Sequence, residues 1–360
     1  MSNFKVEFTL KQHTPIIHFQ AGQRGATLRA SELKPKFDRF LLENVKDIPY
    51  KENPNGHKSL DYKVKIEQNL TPATQIDSNN SLFFGNMGDG EEKKYKSYNK
   101  TFKIEFFSYS DNILEAISNY FEAFLANTNF GTRQSKGYGS FYIDKKSFDK
   151  TLVPYKVYSF SSNNWEKDIK LLYQFLRQGI NLPRPRNPFY SKPAIFAYAK
   201  NKGWTWDKKA IKEKFFSSKL QQQINKHNSD ILTFNSDKKY LLRDLFGLSS
   251  SQEWMSYGKT ITKEHKKKEI ERFKSPITFK VIDKQVYFWV NDSYKKILDK
   301  EFTIKGNGSL DLNTPTEFDF DDFLRFAFDI DLSKHIDSEF HSTVEYNKLQ
   351  EIFKSIKADV

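Results

Sequence analysis

The 360-residue sequence contains no cysteine and only three methionines. Without cysteine, disulfide bonds, thiolate nucleophiles and cysteine-type zinc sites are all excluded. No run of about 18 apolar residues occurs, and the first segment, "MSNFKVEFTL", is too polar for the apolar part of a signal peptide. We therefore expect a cytoplasmic protein without a membrane partner.

Sequence patterns of metal-dependent or nucleotide-dependent enzymes are also missing. There is no His–Asp doublet, no Gly-Gly-Asp-Asp element and no Walker-type loop. Aspartates in the run 319–322 alternate with phenylalanines, which favours a helix N-terminus stabilised by its dipole over a metal site. A second acidic group, at residues 89–92, is followed directly by two lysines. We expect no metal ion and no other cofactor.

Aromatic and basic residues are abundant instead. The 34 phenylalanines and 18 tyrosines are enough to fill the cores and leave some rings for the surface. Lysine and arginine outnumber acidic residues by 58 to 45, which gives a formal net charge of +13. Such an excess favours a polyanionic partner, usually nucleic acid or an anionic membrane surface. A generally lysine-rich proteome would give the same excess without such a partner.

The first 150 residues alternate between strand and helix patterns. Strands are predicted at the segments "NFKVEFTLKQ", "LDYKVKIEQ", "TFKIEFFSYS" and "SFYIDKK". Helices are predicted from about Lys34, with Pro35 in the first turn, to Val45, and over "DNILEAISNYFEAFLANTN", with Asp111 as a possible cap. The order β-α-β-β-α-β is that of the ferredoxin-like fold, an antiparallel sheet with both helices on one face.

The second half has a less regular pattern. Helices are predicted over "NNWEKDIKLLYQFLRQGI", "WDKKAIKEKFFSSKLQQQINKHN" and "DFDDFLRFAFDIDL", and a hairpin over "SPITFKVIDKQVYFWVN". The highly charged segment "KTITKEHKKKEIERFK" is predicted to be a solvated loop or an exposed helix. We expect an α+β protein with two ferredoxin-like (RRM-like) domains, residues 1–150 and 151–360, the second with helical and basic insertions.

A glycine-rich, basic loop, "GTRQSKGYGS" at residues 131–140, separates the second predicted helix from the strand that follows it. A helix C-cap with a tight turn needs only one glycine, so three glycines with two cations favour a functional role. Glycines let the main chain approach a phosphate and leave N–H groups free, the cations add charge, and a tyrosine can stack on a base. The candidate RNA-binding residues are Gly131, Arg133, Lys136, Gly137, Tyr138 and Gly139.

This loop resembles the signature loop of the RAMP superfamily of CRISPR-associated RNA-binding proteins. The segment "LRASELKPKFDRFL" resembles the first-helix motif of these proteins, through Ser31, Lys34 and Arg39, although Pro35 stands where glycine is usual. The later segments "LRDLFGLSSS" and "RFKSPITFKV" resemble their Leu-Phe-Gly and Arg…Ser-Pro segments. No clear second glycine loop occurs in the second half. Motif order and spacing are most similar to subunit one of the type III-B Cmr effector complex.

The resemblance implies a non-catalytic subunit that binds guide RNA (crRNA) within a type III effector complex in antiviral defence. Its partners would be the guide RNA, possibly target RNA, and other RAMP subunits. Lys34 and Arg39 join the loop as candidate RNA contacts. Arg24, Arg29, Arg184 and Arg186 are additional candidates, with ordinary surface positions or contacts to neighbouring subunits as the alternative.

Two other functions stay open. Some RAMP proteins cut guide precursors without metal, by acid–base catalysis that often uses histidine. His13 and His18, which flank "TPII" after the first predicted strand, would be the candidates, but the same segment also fits strand-end packing. Processing nucleases of the family tend to be shorter, with the glycine loop near the C-terminus, so an enzyme is the less favoured interpretation. The third function is a basic scaffold or adaptor that binds acidic protein surfaces.

Overall fold

A computed structural model describes residues 4–17, 28–67, 74–75, 95–98, 100–220, 234–248, 250–254 and 258–359. The chain divides into two compact units. The first comprises residues 1–166 and 278–289, and the second comprises residues 167–277 and 290–360. A segment from late in the sequence therefore returns to the first unit, while a domain boundary at about residue 150 stays a prediction.

The described residues form the following elements. The strands are β1 (Lys5–Gln12), β2 (Ile16–Ile17), β3 (Lys51–Glu52), β4 (Lys58–Ser59), β5 (Lys63–Glu67), β6 (Thr74–Gln75), β7 (Tyr95–Ser97), β8 (Thr101–Phe107), β9 (Phe141–Ile143), β10 (Tyr158–Ser161), β11 (Ile180–Leu182), β12 (Phe189–Ser191), β13 (Thr205–Trp206), β14 (Lys239–Tyr240), β15 (Ser251–Trp254), β16 (Lys259–His265), β17 (Ile277–Ile282), β18 (Gln285–Val290), β19 (Glu301–Gly306) and β20 (Gly308–Asn313). The α-helices are α1 (Ala30–Asn44), α2 (Asp111–Asn127), α3 (Trp165–Arg177), α4 (Ala194–Asn201), α5 (Asp207–Leu220), α6 (Phe320–Asp329), α7 (Leu332–His335) and α8 (Val344–Asp359).

The main sheet of the first unit has the strand order β5-β8-β1-β9, and all neighbours are antiparallel. Along β1 the apolar side chains alternate with charged and polar ones, as a half-buried strand requires. Both helices contribute to the same core: the rings of Phe37 in α1 and Phe121 in α2 lie 5.3 Å apart, and Phe106 of β8 contacts both. The six elements follow each other in the predicted order.

The starts of the two helices differ from prediction. Helix α1 begins at Ala30, so Pro35 lies inside the helix instead of in its first turn. Pro35 is exposed, and because it has no N–H, the carbonyl of Ser31 loses its usual helical partner. The residue before α2 is Ser110, so Asp111 is the first helical residue and not the cap. Its carboxylate still lies at the favourable end of the dipole.

A second sheet in the first unit has the order β10-β18-β17. The predicted hairpin is confirmed as β17 and β18, and β10 pairs antiparallel with β18. The other edge, β17, meets the glycine loop: the N–H of Phe279 donates to the carbonyl of Ser135 at 3.2 Å. Residues about 140 positions apart are thereby joined.

The second unit is built around a six-stranded sheet of order β13-β14-β20-β19-β16-β15. Strand pairs β13–β14 and β14–β20 are parallel, and the remaining pairs are antiparallel. This mixed sheet, together with the assignment of the late hairpin to the first unit, leaves a second ferredoxin-like domain unconfirmed. The molecule is a mixed α/β protein with several sheets.

The prediction for the charged segment from residue 259 is wrong in its first part. Residues 259–265 form β16, which lies between β19 and the edge strand β15, with Ile261, Lys263 and His265 buried. Lys263 faces inward because its Nζ lies 2.6 Å from a carboxylate oxygen of buried Asp244. High charge suggested solvent exposure, but a buried ion pair with a direct hydrogen bond permits a strand here.

The acidic run near the C-terminus is confirmed as a helix N-terminus. Asp319 caps α6, and its carboxylate accepts the main-chain N–H groups of Asp321 and Asp322 at 2.7 and 3.4 Å. The acidic group at residues 89–92 lies outside the described residues. In the described part of the chain, no helix is both long enough and apolar enough to cross a membrane.

Candidate nucleic-acid interface

The glycine loop, residues 131–140, runs from the end of α2 to β9. Two of its glycines are required by close approach of main-chain segments. A Cβ on Gly139 would lie 1.9 Å from the carbonyl oxygen of Phe130, and one on Gly131 would lie 2.4 Å from that of Ile17. Both residues have φ in the left-handed region, +65° and +77°. These two glycines therefore allow the loop backbone to pack directly against the backbone of Phe130 and of Ile17.

The main-chain N–H groups of this loop donate largely to the protein itself. Gly131 donates to Oε1 of Glu32 at 2.7 Å, and Gly139 donates to the carbonyl of Pro15 at 2.9 Å. The N–H of Ser140 donates to the hydroxyl of Thr14 at 2.9 Å. The sequence suggested that glycine N–H groups are left free for phosphate oxygens. Instead, internal acceptors fix the loop and make it rigid.

A buried lysine that the sequence did not single out supports the loop from the hairpin. Lys280 of β17 is fully buried, and its Nζ donates to the carbonyls of Thr128 (3.0 Å) and Phe141 (3.2 Å) and to Oδ1 of Asn129 (3.3 Å). Burial lowers the pKa of Lys280 to about 7, whereas the three oxygens favour its charged form. The only sequence signal is a lysine between apolar neighbours in "ITFKVI".

Arg133 is the predicted loop cation whose side chain lies partly at the surface. Its main chain is in the left-handed region, with φ +60°, and its carbonyl accepts the N–H of Lys136 at 2.8 Å. Burial lowers the pKa of Arg133 to about 10, so the guanidinium stays charged at neutral pH. A rigid turn thus holds a partly exposed cation.

The other two polar loop candidates are buried. Lys136 is 9% exposed and Tyr138 only 1%. The Tyr138 ring meets Trp165 edge-to-face at 4.9 Å, and burial raises the pKa of its hydroxyl. The sequence suggested that this ring stacks on a base, but in this conformation it belongs to the interior of the first unit.

Helix α1 brings Lys36, not Lys34, to the loop. Nζ of Lys36 lies 2.9 Å from Oε1 of Glu32 and 3.3 Å from the carbonyl of Asn129, and it sits 5.0 Å from the ring centre of Phe130. The same Glu32 oxygen accepts the N–H of a loop glycine. Lys36 therefore adds positive charge directly beside the loop.

Lys34 faces the opposite side of α1. Its Nζ contacts Oδ2 of Asp38 at 2.8 Å and the carbonyl of Leu60 at 2.9 Å, and lies 4.1 Å from the ring centre of Tyr62. Exposed Arg39 follows Lys36 by three residues and so shares its side of the helix. The resemblance to the first-helix motif named Lys34 together with Arg39, whereas helical geometry places Arg39 on the side of Lys36.

Four further candidates belong to the first part of the sequence, and the structure describes two of them, Arg29 and His13. Arg29 is half-buried and precedes α1 as its N-cap residue. Arg24 and His18 lie outside the described residues. His13 is buried, and its Nδ1 accepts the main-chain N–H of Asp283 at 2.9 Å.

The state of His13 does not suit acid–base catalysis. Burial lowers its pKa to about 4, so the ring is neutral at physiological pH. A general acid or base works best with a pKa near the operating pH and within reach of the substrate. The buried ring and the occupied Nδ1 argue against His13 as a general base or acid, whereas His18, the other candidate, lies outside the described residues.

Two protein-family models together match nearly the whole chain. A model of the Cmr1 N-terminal domain matches residues 3–180, and a model of the Cmr1 C-terminal domain matches residues 190–358. The chain belongs to the Cmr1 family. The resemblance deduced from the motifs is thereby confirmed.

Two solved structures are similar over most of the chain. One is the crystal structure of apo Cmr1 from Pyrococcus furiosus, with 10% identity, a TM-score of 0.36, and coverage of 80% of this chain and 88% of that one. The other is a chain of the type III-B Cmr-beta complex bound to cognate target RNA and AMPPnP, state 2, in the presence of ssDNA. It shows 10% identity, a TM-score of 0.36, and coverage of 89% and 97%. A sequence search against curated proteins finds no match.

The two later motifs of this Cmr1-family chain come together in the second unit. The Leu-Phe-Gly segment ends at Gly247, and the next residue, Leu248, donates its N–H to the carbonyl of Phe273 at 2.9 Å. The hydroxyl of Tyr173 donates to the carbonyl of Phe246 at 2.6 Å and lies 3.3 Å from the Ser275 hydroxyl. The matching positions are Leu245, Phe246, Gly247, Arg272, Ser275 and Pro276.

Two candidate arginines also belong to the second unit. Arg184 pairs with Glu345, with 2.8 Å between Nη2 and Oε1, and Arg186 is exposed. Both positions are compatible with an RNA contact, with an ordinary surface position and with a contact to a neighbouring subunit.

Proposed function

We propose that this chain is a non-catalytic subunit of a type III-B CRISPR effector complex, and that its first unit binds the guide-RNA (crRNA) backbone beside the glycine loop. The observation that carries the proposal is Arg133, a charged and partly exposed residue on a turn that internal hydrogen bonds hold in place. Guanidinium groups bind phosphate through two parallel hydrogen bonds. A turn fixed in advance lowers the ordering cost of that contact.

Neighbouring cations extend this site. Lys36 lies beside the loop, and Arg39 is exposed on the same side of α1. A phosphate backbone that passes the loop would meet them within one helical turn. The net charge of +13 supports the same partner through long-range attraction. Other RAMP subunits and target RNA complete the proposed set of partners.

We assign the main sheet of the first unit to the ferredoxin-like (RRM-like) class. Its element order is β-α-β-β-α-β, its neighbours are antiparallel, and the first and third strands of this set are central. The assignment covers one unit only, since the mixed sheet of the second unit has another order.

The test is RNA binding and RNA integrity with the full chain at several salt concentrations. Arg133→Ala should weaken binding of labelled repeat-derived RNA and reduce the magnitude of the salt slope by about one. Arg325→Ala, at an exposed position in the second unit, is the control and should leave both unchanged. Equal binding by all three proteins would contradict the proposed site. Metal-independent cleavage at one position would instead support the nuclease alternative, and absence of RNA binding would favour a scaffold.

A further inference from the structure

Three aromatic rings cluster on the surface of the first unit, far from the glycine loop along β1. They belong to Phe4, Phe107 and Tyr109, named here the aromatic platform. Phe4 is 40% exposed and Tyr109 80%. The ring centres of Phe107 and Tyr109 lie 5.0 Å apart, those of Phe4 and Tyr109 5.4 Å, and those of Phe4 and Phe107 6.4 Å.

Phe107 lies at one end of the two central strands, on the sheet face away from the helices. Phe106 points into the core, so its neighbour Phe107 points to the opposite face. Phe107 is paired with Lys5 of β1 on one side and with Lys63 of β5 on the other. Two lysines therefore flank the rings.

The backbone beneath the platform is fixed. Buried Ser108 donates its N–H to the carbonyl of Phe4 at 3.0 Å and its hydroxyl to the carbonyl of Asp61 at 2.7 Å. The same hydroxyl accepts the N–H of Ser110 at 3.2 Å. Tyr109 is thus held on both sides while its ring stands in solvent. Such a ring contributes little to the core, because hydrophobic stabilisation scales with the apolar area removed from water.

The chemistry around the rings favours a nucleobase over a protein partner. Beyond the flanking lysines, the face continues with charged side chains, and Lys5 there contacts Glu7 at 2.7 Å and Glu105 at 3.1 Å. Three rings within a charged surface offer far less than the roughly 800 Å² per partner that a standard protein interface buries. Aromatic rings beside cations match an unpaired base and its phosphate.

We propose that the aromatic platform stacks one or two unpaired bases of single-stranded RNA, with Lys63 near an adjoining phosphate. The proposal rests on the RNA-binding function proposed above, but it names a second site. The eight residues of β1 separate Phe4 from His13, whose N–H donates to the carbonyl of Ser140 at the end of the loop, so the two sites lie roughly 30 Å apart at 3.3 Å per residue.

The test measures affinity of the full chain for fluorescein-labelled single-stranded RNA, together with photocrosslinking of the same RNA carrying 5-iodouridine. Tyr109→Ala should bind about tenfold more weakly, in line with the loss of one stacked base. Tyr109→Trp should retain affinity, since it keeps a stacking ring. Tyr50→Ala is the matched control, because Tyr50 is also exposed, at 47%, in the same unit. Crosslinks should map to the peptide that contains Tyr109.

Four outcomes separate the two proposals. The platform is supported if Tyr109→Ala binds RNA more weakly while Tyr50→Ala does not, and if the RNA crosslinks to the peptide that contains Tyr109. Equal RNA affinity of the unaltered chain and Tyr109→Ala overturns the platform, and the effect of Arg133→Ala then decides the proposed function separately. Lack of RNA binding by the unaltered chain overturns both. If Tyr109→Ala binds RNA normally but no longer assembles with other effector subunits, the platform is a protein contact and the proposal is wrong.

Discussion

The glycine loop and the aromatic platform use their residues in opposite ways. In the loop, the glycines and Tyr138 are buried, and internal hydrogen bonds consume main-chain donors. In the platform, the main chain is fixed but the rings are left at the surface, where they add little to stability. From residue types alone, the whole loop was predicted to bind RNA. The burial of its side chains shows that Lys136 and Tyr138 pack inside the protein, whereas Arg133 is partly exposed.

This difference leads to an expectation that two measurements can test. Substitutions of buried loop residues should lower the free energy of unfolding. Any loss of RNA binding by these variants should be a consequence of their lower stability. Variants at Arg133 or in the platform should change RNA affinity with little change in stability. The following predictions run from the largest expected effect on stability to the smallest.

Gly139→Ala should destabilise the protein by about 3 kcal/mol or more, because the new Cβ would meet the carbonyl of Phe130 at 1.9 Å in a left-handed conformation. Gly56→Ala is the control: its φ is +76°, but the nearest atom is 3.9 Å away, so only the conformational cost of about 1 kcal/mol applies. Urea unfolding measures both. Equal losses would show that the loop can relax around the added methyl group.

Lys280→Met should cost about 2 kcal/mol at neutral pH, because three buried oxygens lose their donor. The loss should grow with pH. Since the pKa of Lys280 falls from 10.5 to about 7 on folding, the unfolded chain binds more protons between these values. The unaltered protein therefore gains stability as pH rises through this window, by up to about 1.4 kcal/mol per unit, and the variant lacks that gain.

Urea unfolding of both proteins at pH 6.5, 8 and 9.5 measures the Lys280 effect. Lys103→Met, at an exposed position of β8, is the control, and its difference from the unaltered protein should not change with pH. A constant difference for Lys280→Met would mean that the three oxygen acceptors keep the ammonium protonated through the whole range.

The main sheet could be predicted from the sequence because alternation in β1 and the apolar stripe of α2 are local signals. The support of the loop could not, since Lys280 contacts residues about 140 positions earlier. The strand β16 was missed because charge outweighed its alternation, and only the partner Asp244 explains a buried Lys263. Lys36 was overlooked because its position beside the loop depends on how α1 packs.

Arg133→Gly should separate stability from binding most cleanly. Glycine relieves the left-handed strain at φ +60° but adds freedom to the unfolded chain, so stability should change by less than about 1 kcal/mol. RNA affinity should fall as for Arg133→Ala, because the guanidinium is lost in both. Thermal unfolding and fluorescence anisotropy measure the two quantities. A large loss of stability would assign Arg133 to the fold.

The smallest effect on stability is expected for Tyr109→Ala, within about 0.5 kcal/mol, because the ring is mostly in solvent. Combined with Arg133→Ala it gives the sharpest comparison of the two regions. The sites share no contacts and lie roughly 30 Å apart along β1, so their losses of binding free energy should add for an RNA long enough to reach both. For an RNA that reaches only one site, only the variant at that site should weaken binding, and the double variant should add no further loss. Additive losses at both lengths would mean that the two regions act on the same bound nucleotides, which a separate stacking platform does not allow.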